Sequence, residues 1–134
     1  KKVVEKIVIN PAYYAKMSAI LEQLIIDRKR GVIAYGQLLD AYMELAKNVE
    51  RPEDNTSYPD SVRHSGALRA LYDNCGQDEQ QALKLHKAIV KAKQDGFRNN
   101  PVKENKIKRA IYQILKDEDE VERIYQIIVE QGEY

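Results

Sequence analysis

Residues 10–31 read NPAYYAKMSAILEQLIIDRKRG, and this stretch contains the start, the periodic interior and the end of one α-helix. Asn10 can cap free backbone N–H groups, while Pro11 supplies a helical φ and lacks a donor that would have no partner in the first turn. Gly31 follows a cluster of basic residues, which is typical of a helix C-terminus. Between these ends, apolar side chains recur at three- and four-residue spacing: Tyr14, Met17, Leu21, Leu24 and Ile25. The stretch predicts an amphipathic helix from residue 11 to about residue 30.

The same signals recur along the rest of the chain. An apolar stripe from Tyr35 to Val49 predicts a second helix, which we expect to pair with the first as an antiparallel hairpin. Residues 3–9 are rich in β-branched side chains but are also assigned to a helix. Further apolar stripes follow polar caps at Ser65, at Asp78, at Asn100 with Pro101, and at the acidic run 117–122. The sequence therefore predicts an all-α fold, a compact bundle of about five to six helices with one long Pro-containing loop near residues 50–64.

Length and composition are those of one globular domain. The chain has 134 residues, of which 43% are hydrophobic and 32% charged, so residues 1–134 are expected to fold as a single helical domain. It begins with Lys1 rather than Met, and we interpret it as the C-terminal fragment of a longer multidomain protein. No apolar run approaches the roughly 20 residues of a membrane span, and Cys75 is the single cysteine, so a cytoplasmic location is expected.

Charge is distributed unevenly although the net charge is only +1. Residues 79–109 hold nine basic and three acidic side chains, whereas residues 110–134 hold two basic and seven acidic ones. The basic stretch could contact phosphate or an acidic partner surface, or it could be a solvated helical face. The candidate contact residues for a partner or DNA are Lys84, Lys87, Lys91, Arg98, Lys103 and Arg109.

The residue types that carry chemistry are not arranged in any recognisable catalytic pattern. His64 and His86 are far apart and lack the spacing of metal ligands, and the glycines are scattered singly rather than forming a phosphate-binding loop. His86 is expected to be a partly buried, hydrogen-bonded imidazole. An independent hydrolase would depend on His64 beside Ser65 alone, an adjacency that does not establish catalytic geometry. No catalytic, cofactor-binding or metal-binding residue is predicted in this chain.

Several short runs together carry a family resemblance. Residues 58–61 (YPDS) lead into residues 69–74 (RALYDN), and Phe97 lies in the run QDGFR at residues 94–98. The set is completed by Pro11, Tyr14, Lys16, Met17 and Ser18 upstream, and by VKE at 102–104 and KRAI at 108–111 downstream. In this order and spacing the chain resembles, over nearly its whole length, the C-terminal region of the restriction (R) subunit of type I restriction-modification enzymes. Phe97 stands where many such relatives have Trp.

The resemblance implies a non-catalytic assembly domain that docks the R subunit onto the methyltransferase core. The parent would be an ATP-dependent type I site-specific deoxyribonuclease, using ATP and Mg in its upstream domains and defending the cell against foreign DNA. Its expected partners are the methyltransferase and specificity subunits of the restriction complex, together with the upstream domains of the same subunit. The alternative from the basic stretch is a DNA-contacting module that guides duplex toward the motor.

Overall fold

Residues 7–134 are described by the computed structural model, and they form α-helices connected by turns. The helices are α1 (Pro11–Lys29), α2 (Tyr35–Glu50), α3 (Asp60–Arg63), α4 (Gly66–Asn74), α5 (Glu79–Ala92), α6 (Pro101–Leu115) and α7 (Glu118–Val129). Six of these helices have nine residues or more, which confirms the all-α bundle predicted for this part of the chain. Residues 7–9 are also helical, whereas the remainder of the helix predicted over residues 3–9 lies outside the described residues.

Polar side chains start the helices at the predicted positions. Asn10, Ser65, Asp78 and Asn100 each accept a hydrogen bond from the backbone N–H three residues later, at 3.1 to 3.3 Å. Asp117 accepts from the N–H groups of the two residues that follow Glu118, so the acidic run caps α7. Each cap satisfies a donor that the helix itself leaves free, and it thereby fixes where the helix begins.

The loop predicted near residues 50–64 is shorter than expected and partly helical. Helix α2 extends to Glu50, a 3₁₀ turn spans Pro52–Asp54, and Pro59 immediately precedes α3. Pro52 starts the 3₁₀ turn because its ring fixes a φ that suits the first position of a helix, and Pro59 is the residue that precedes α3. The sequence did not predict these two short helical turns within the loop.

Helices α1 and α2 form the predicted antiparallel hairpin. The Tyr13 hydroxyl, near the start of α1, donates to the carbonyl of Asn48 near the end of α2 at 2.9 Å. The neighbouring Tyr14 hydroxyl donates to the carbonyl of Val49 at 3.4 Å. Opposite ends of the two helices therefore meet, and the hairpin tip at residues 30–34 lies at the far end.

Two hydrophobic clusters hold the described residues together. The larger is formed by helices α4 to α7 around Leu71, Leu85, Ile89, Ile107, Ile111, Ile124 and Ile128, all fully buried, with Phe97 packed among them. The smaller lies where the first turns of α1 meet the end of α2, α4 and the preceding loop, and it contains Tyr13, Tyr14, Met17, Leu45, Tyr58, Val62 and Leu68. Tyr72 contacts both clusters and joins them. The hairpin is therefore attached to the remaining helices through its base.

A polar network beneath that base ties three segments of the chain together. The Asp73 carboxylate, on α4, accepts hydrogen bonds from the Asn10 amide at 2.9 Å and from the Tyr58 hydroxyl. The Asn74 amide donates to the Asn10 side-chain oxygen at 2.9 Å. Burial raises the pKa of the Asp73 carboxyl and that of the Tyr58 phenol. Because both groups are removed from water, each depends on the partners that this network provides.

Replacing Tyr58 by Phe should test how much this network contributes. Tyr58→Phe removes a donor from the partly buried Asp73 carboxylate while keeping the ring, so we expect a loss of about 1–3 kcal/mol in the free energy of unfolding. Urea denaturation would measure it. Tyr42→Phe is the matched control, because its ring is exposed and its change should stay within about 0.5 kcal/mol. Equal effects of the two substitutions would contradict the account.

Candidate docking surfaces

The lysines predicted as contact residues on α5 form an exposed row. Lys84, Lys87 and Lys91 all face solvent, whereas Leu85 and Ile89 on the other side of the helix are fully buried. None of the three lysines has an ion-pair partner within residues 7–134. This row faces solvent, as the sequence predicted for the side of the helix away from the core.

Arg98 and Lys103, in contrast, use their donors within the chain. The Arg98 guanidinium donates to the carbonyls of Val129, Gln131 and Tyr134 at 2.8 to 3.0 Å, and it lies 4.5 Å from the centre of the Phe97 ring. Val129 is the last residue of α7 and the other two acceptors follow it, so the guanidinium lies at the helix C-terminus, where acceptors lack partners and positive charge is favourable. The Lys103 ammonium donates to the Asp95 carbonyl at 2.5 Å. Both side chains therefore have a structural role that the sequence did not indicate.

Arg109 lies in a mixed-charge cavity between α6 and α7. The cavity has a volume of about 430 Å³, and it is lined by Arg109 and Lys108 together with acidic residues of α7. Lys108 is already bound to Glu122 at 2.9 Å. The acidic start of α7 therefore offsets the positive charge on this side of α6.

A second cavity, between α5 and α6, brings together Lys91 and Lys106. This groove has a volume of about 560 Å³, and its lining includes the side chains of Ala88, Ala92, Ala110 and Ile114. None of its lining residues is acidic. Lys91 was predicted as a contact residue, but the sequence did not show that Lys106 lies across a groove from it.

A row of exposed apolar side chains lies on α2. The hairpin stripe, as we call it, consists of Tyr35, Leu39, Tyr42 and Met43, whose exposed fractions are 55%, 47%, 52% and 68%. Their spacing of four, seven and eight residues places them on one face of the helix. Ile20, Ile25 and Ile26 of α1 and Val32 at the tip are exposed as well. The outer part of the hairpin thus presents large apolar side chains to solvent.

The width of the apolar stripe on α2 is the signal that could have identified this surface. Leu45 is buried and Leu38 and Val49 are half-buried, and these three residues lie on one side of that stripe. Tyr35, Leu39 and Tyr42 occupy the other side. One neighbouring helix covers only part of so wide an apolar face, and α1 is the only α-helix with which α2 makes substantial contact in the described chain.

Of the residues considered for chemistry, Ser65 is occupied by a helix cap and by Glu133. The Ser65 hydroxyl contacts Glu133 and accepts from the Leu68 N–H, while His64 is exposed. The structure therefore does not bring His64 and Ser65 together as a catalytic pair. Burial raises the pKa of the Cys75 thiol to about 11, which disfavours the reactive thiolate.

Two further properties of residues 7–134 concern metals and membranes. No group of three or more His, Cys, Asp or Glu side chains in this range is arranged to hold a metal ion. No helix in the same range has the length and apolar character needed to cross a bilayer.

His86 is partly buried and hydrogen-bonded, as predicted. Its Nδ1 atom lies 2.5 Å from the Tyr134 hydroxyl, and burial lowers the pKa of its imidazole from 6.5. This contact and those of Arg98 hold the end of the chain against α5 and α7. Glu133 adds a third attachment, because its carboxylate accepts from the Ala67 N–H at the start of α4.

Arg98→Ala should weaken the attachment of the chain end. The substitution removes three hydrogen bonds to carbonyl groups at an exposed site, so we expect a loss of about 1–2 kcal/mol in unfolding free energy. Hydrogen exchange of the amides in residues 129–134 should also become faster. Arg109→Ala is the control, because the Arg109 guanidinium has no hydrogen bond or ion pair within residues 7–134. Unchanged exchange at residues 129–134 in Arg98→Ala would refute the structural role.

The His86 contact predicts a specific dependence of stability on pH. Because the folded-state pKa is lowered, the unfolded chain binds a proton at His86 more readily, so stability should decrease as pH falls through 6.5. His86→Gln should remove this part of the decrease, and urea denaturation over a pH series would measure it. His64→Gln, at an exposed position, should retain it. A decrease that is identical in wild type and His86→Gln would show that another group is responsible.

No protein-family model, no curated protein and no solved structure matches this chain. A function can therefore be argued only from the residues and contacts described above.

Proposed function

We propose that this chain is a non-catalytic assembly domain of a type I restriction endonuclease R subunit, and that it docks the subunit onto the methyltransferase core. The observation that carries the proposal is the hairpin stripe. Large apolar and aromatic side chains that remain exposed on a folded domain are typical of a protein-binding surface. In this proposal the stripe packs against the methyltransferase and specificity subunits.

The geometry of the hairpin suits such a role. Its base is held by the smaller hydrophobic cluster and by the polar network at Asp73, while its outer half projects from the remaining helices. A helical partner could lie along α2 and cover Tyr35, Leu39 and Tyr42 in the way that one helix covers the ridge of another. Because the base is already ordered, little conformational entropy would be lost on docking.

The short runs that carry the family resemblance contain residues with structural roles in this fold. Tyr58 is buried and donates to Asp73, which links the run at residues 58–61 to the run at residues 69–74. Asn74 donates to Asn10, beside the first residue of the resemblance. Phe97 is buried in the larger cluster, so the aromatic position in the run at 94–98 is a core position. These runs specify how the domain folds, which is consistent with a module whose work is assembly.

A DNA-contacting module is the second candidate, and the exposed lysine row on α5 is the observation that favours it. The surface that would bind phosphate is nevertheless reduced, because Arg98, Lys103 and Lys108 have partners within the chain. Duplex binding by one domain typically uses about six to ten phosphate contacts. Six of the nine basic residues in 79–109 remain, which only reaches the lower end of that range, and the acidic start of α7 offsets part of their charge, so we rank this function second.

Under the first proposal, nucleotide and metal chemistry belong to other parts of the parent protein. Its upstream domains would bind ATP and Mg, translocate DNA and cleave it in the cytoplasm. This domain would contribute the attachment that keeps those activities on the complex that recognises the DNA site.

Retention on the methyltransferase–specificity complex tests the proposal. The double variant Leu39→Glu/Tyr42→Glu places charge in the middle of the hairpin stripe. Because truncating a central interface anchor costs about 2 kcal/mol or more, we expect binding to weaken at least about 30-fold. Surface plasmon resonance with the immobilised complex would measure the change.

Val102→Glu provides the matched control, since Val102 is an apolar residue on α6 that is 69% exposed and lies outside the stripe. It should bind as the wild type does. Absence of binding by the wild-type chain, under conditions in which the complete R subunit binds, would reject the proposed function. An equal loss in Val102→Glu would reject the stripe as its surface.

A further inference from the structure

The groove between α5 and α6 is apart from the hairpin stripe and combines small apolar side chains with positive charge. Its lining includes the small side chains of Ala88, Ala92 and Ala110 and one side of Ile114, which packs against the larger hydrophobic cluster. Alanines on both helices allow another backbone to approach closely, at the short separations found between packed helices. The groove therefore offers apolar contact to an inserted segment.

Lys91 and Lys106 supply the second property, an unneutralised positive charge. They lie on opposite helices, both are exposed, and neither has an ion-pair partner within residues 7–134. No Asp or Glu lines the groove. Lys84 extends the positive charge along α5, since it lies seven residues before Lys91 on the same face of the helix.

From this combination we infer that the α5–α6 groove binds an acidic amphipathic helix of a partner protein. Apolar side chains of that helix contact Ala88, Ala92 and Ala110, and carboxylates on its flanks meet Lys91 and Lys106. A helix presenting anchors at three-, four- and seven-residue spacing is the form of ligand that such grooves accept. The inference holds whether or not the chain docks through the hairpin stripe.

The apolar floor favours a peptide over DNA. A duplex presents phosphates at its surface, and these gain nothing from contact with Ala92 or Ala110. A long polyanion would also extend over the adjoining cavity, which shares Gln113 with the groove and is lined by the carboxylates of Glu118, Asp119 and Glu122.

Methyl NMR of the 134-residue chain provides the test. The probe is a designed amphipathic peptide of about 15 residues, long enough to form a helix, with leucines on one face and glutamates on its flanks. We expect saturable shifts of the Ala88, Ala92, Ala110 and Ile114 methyl signals. Two altered peptides, one with lysine for every glutamate and one with serine for every leucine, should not produce them.

Charge reversal on the protein completes the experiment. Lys91→Glu/Lys106→Glu should weaken binding of the acidic peptide about tenfold or more, because two favourable contacts worth up to about 1 kcal/mol each become repulsive. Lys29→Glu/Lys47→Glu, an equal reversal on exposed lysines of the hairpin, should leave affinity unchanged. Circular dichroism would confirm that both variants remain folded.

Three results would overturn the inference. The first is the absence of groove methyl shifts with the acidic peptide, and the second is equal binding of either altered peptide. The third is binding of a duplex DNA with a steep salt dependence under conditions in which the acidic peptide fails to bind, which would assign the lysines to DNA instead.

Discussion

The rest of the structure depends on the hydrogen bonds that the Asp73 carboxylate accepts. It accepts from Asn10 and Tyr58, and through them α4 is tied to the start of α1 and to the loop that precedes α3. A carboxylate placed there loses its hydrogen bonds to water, and these donors replace them. The arrangement fixes the base of the hairpin in one position relative to the larger cluster.

Fixing the base has a consequence for the outer half of the hairpin. Because the hairpin is anchored at one end, its tip and the outer face of α2 remain uncovered, and the apolar side chains there stay in water. Such exposure lowers the solubility of a free domain, and under the proposed function a partner covers these side chains. The basic side chains also fall into two groups. Some donate to carbonyl groups at the ends of helices, and others line the α5–α6 groove without an ion-pair partner within residues 7–134.

Local signals in the sequence predicted the helices well. Asn10, Ser65, Asp78 and Asn100 are caps whose hydrogen bonds reach only three residues, so their geometry follows from neighbouring residues alone. The role of Arg98 could not be predicted, because its acceptors are more than 30 residues away in the sequence and meet it only after α7 has packed. The exposure of Tyr42 escaped prediction for the same reason, since periodicity identifies an apolar face but not what covers it.

Hydrogen–deuterium exchange of the chain, free and bound to the methyltransferase–specificity complex, is the most direct test of the central claim that this is a docking scaffold. Covering the hairpin stripe should slow exchange of amides along α2 and the outer half of α1, while the amides of α6 and α7 change little. Slower exchange confined to α6 and α7, with α2 unchanged, would contradict the account.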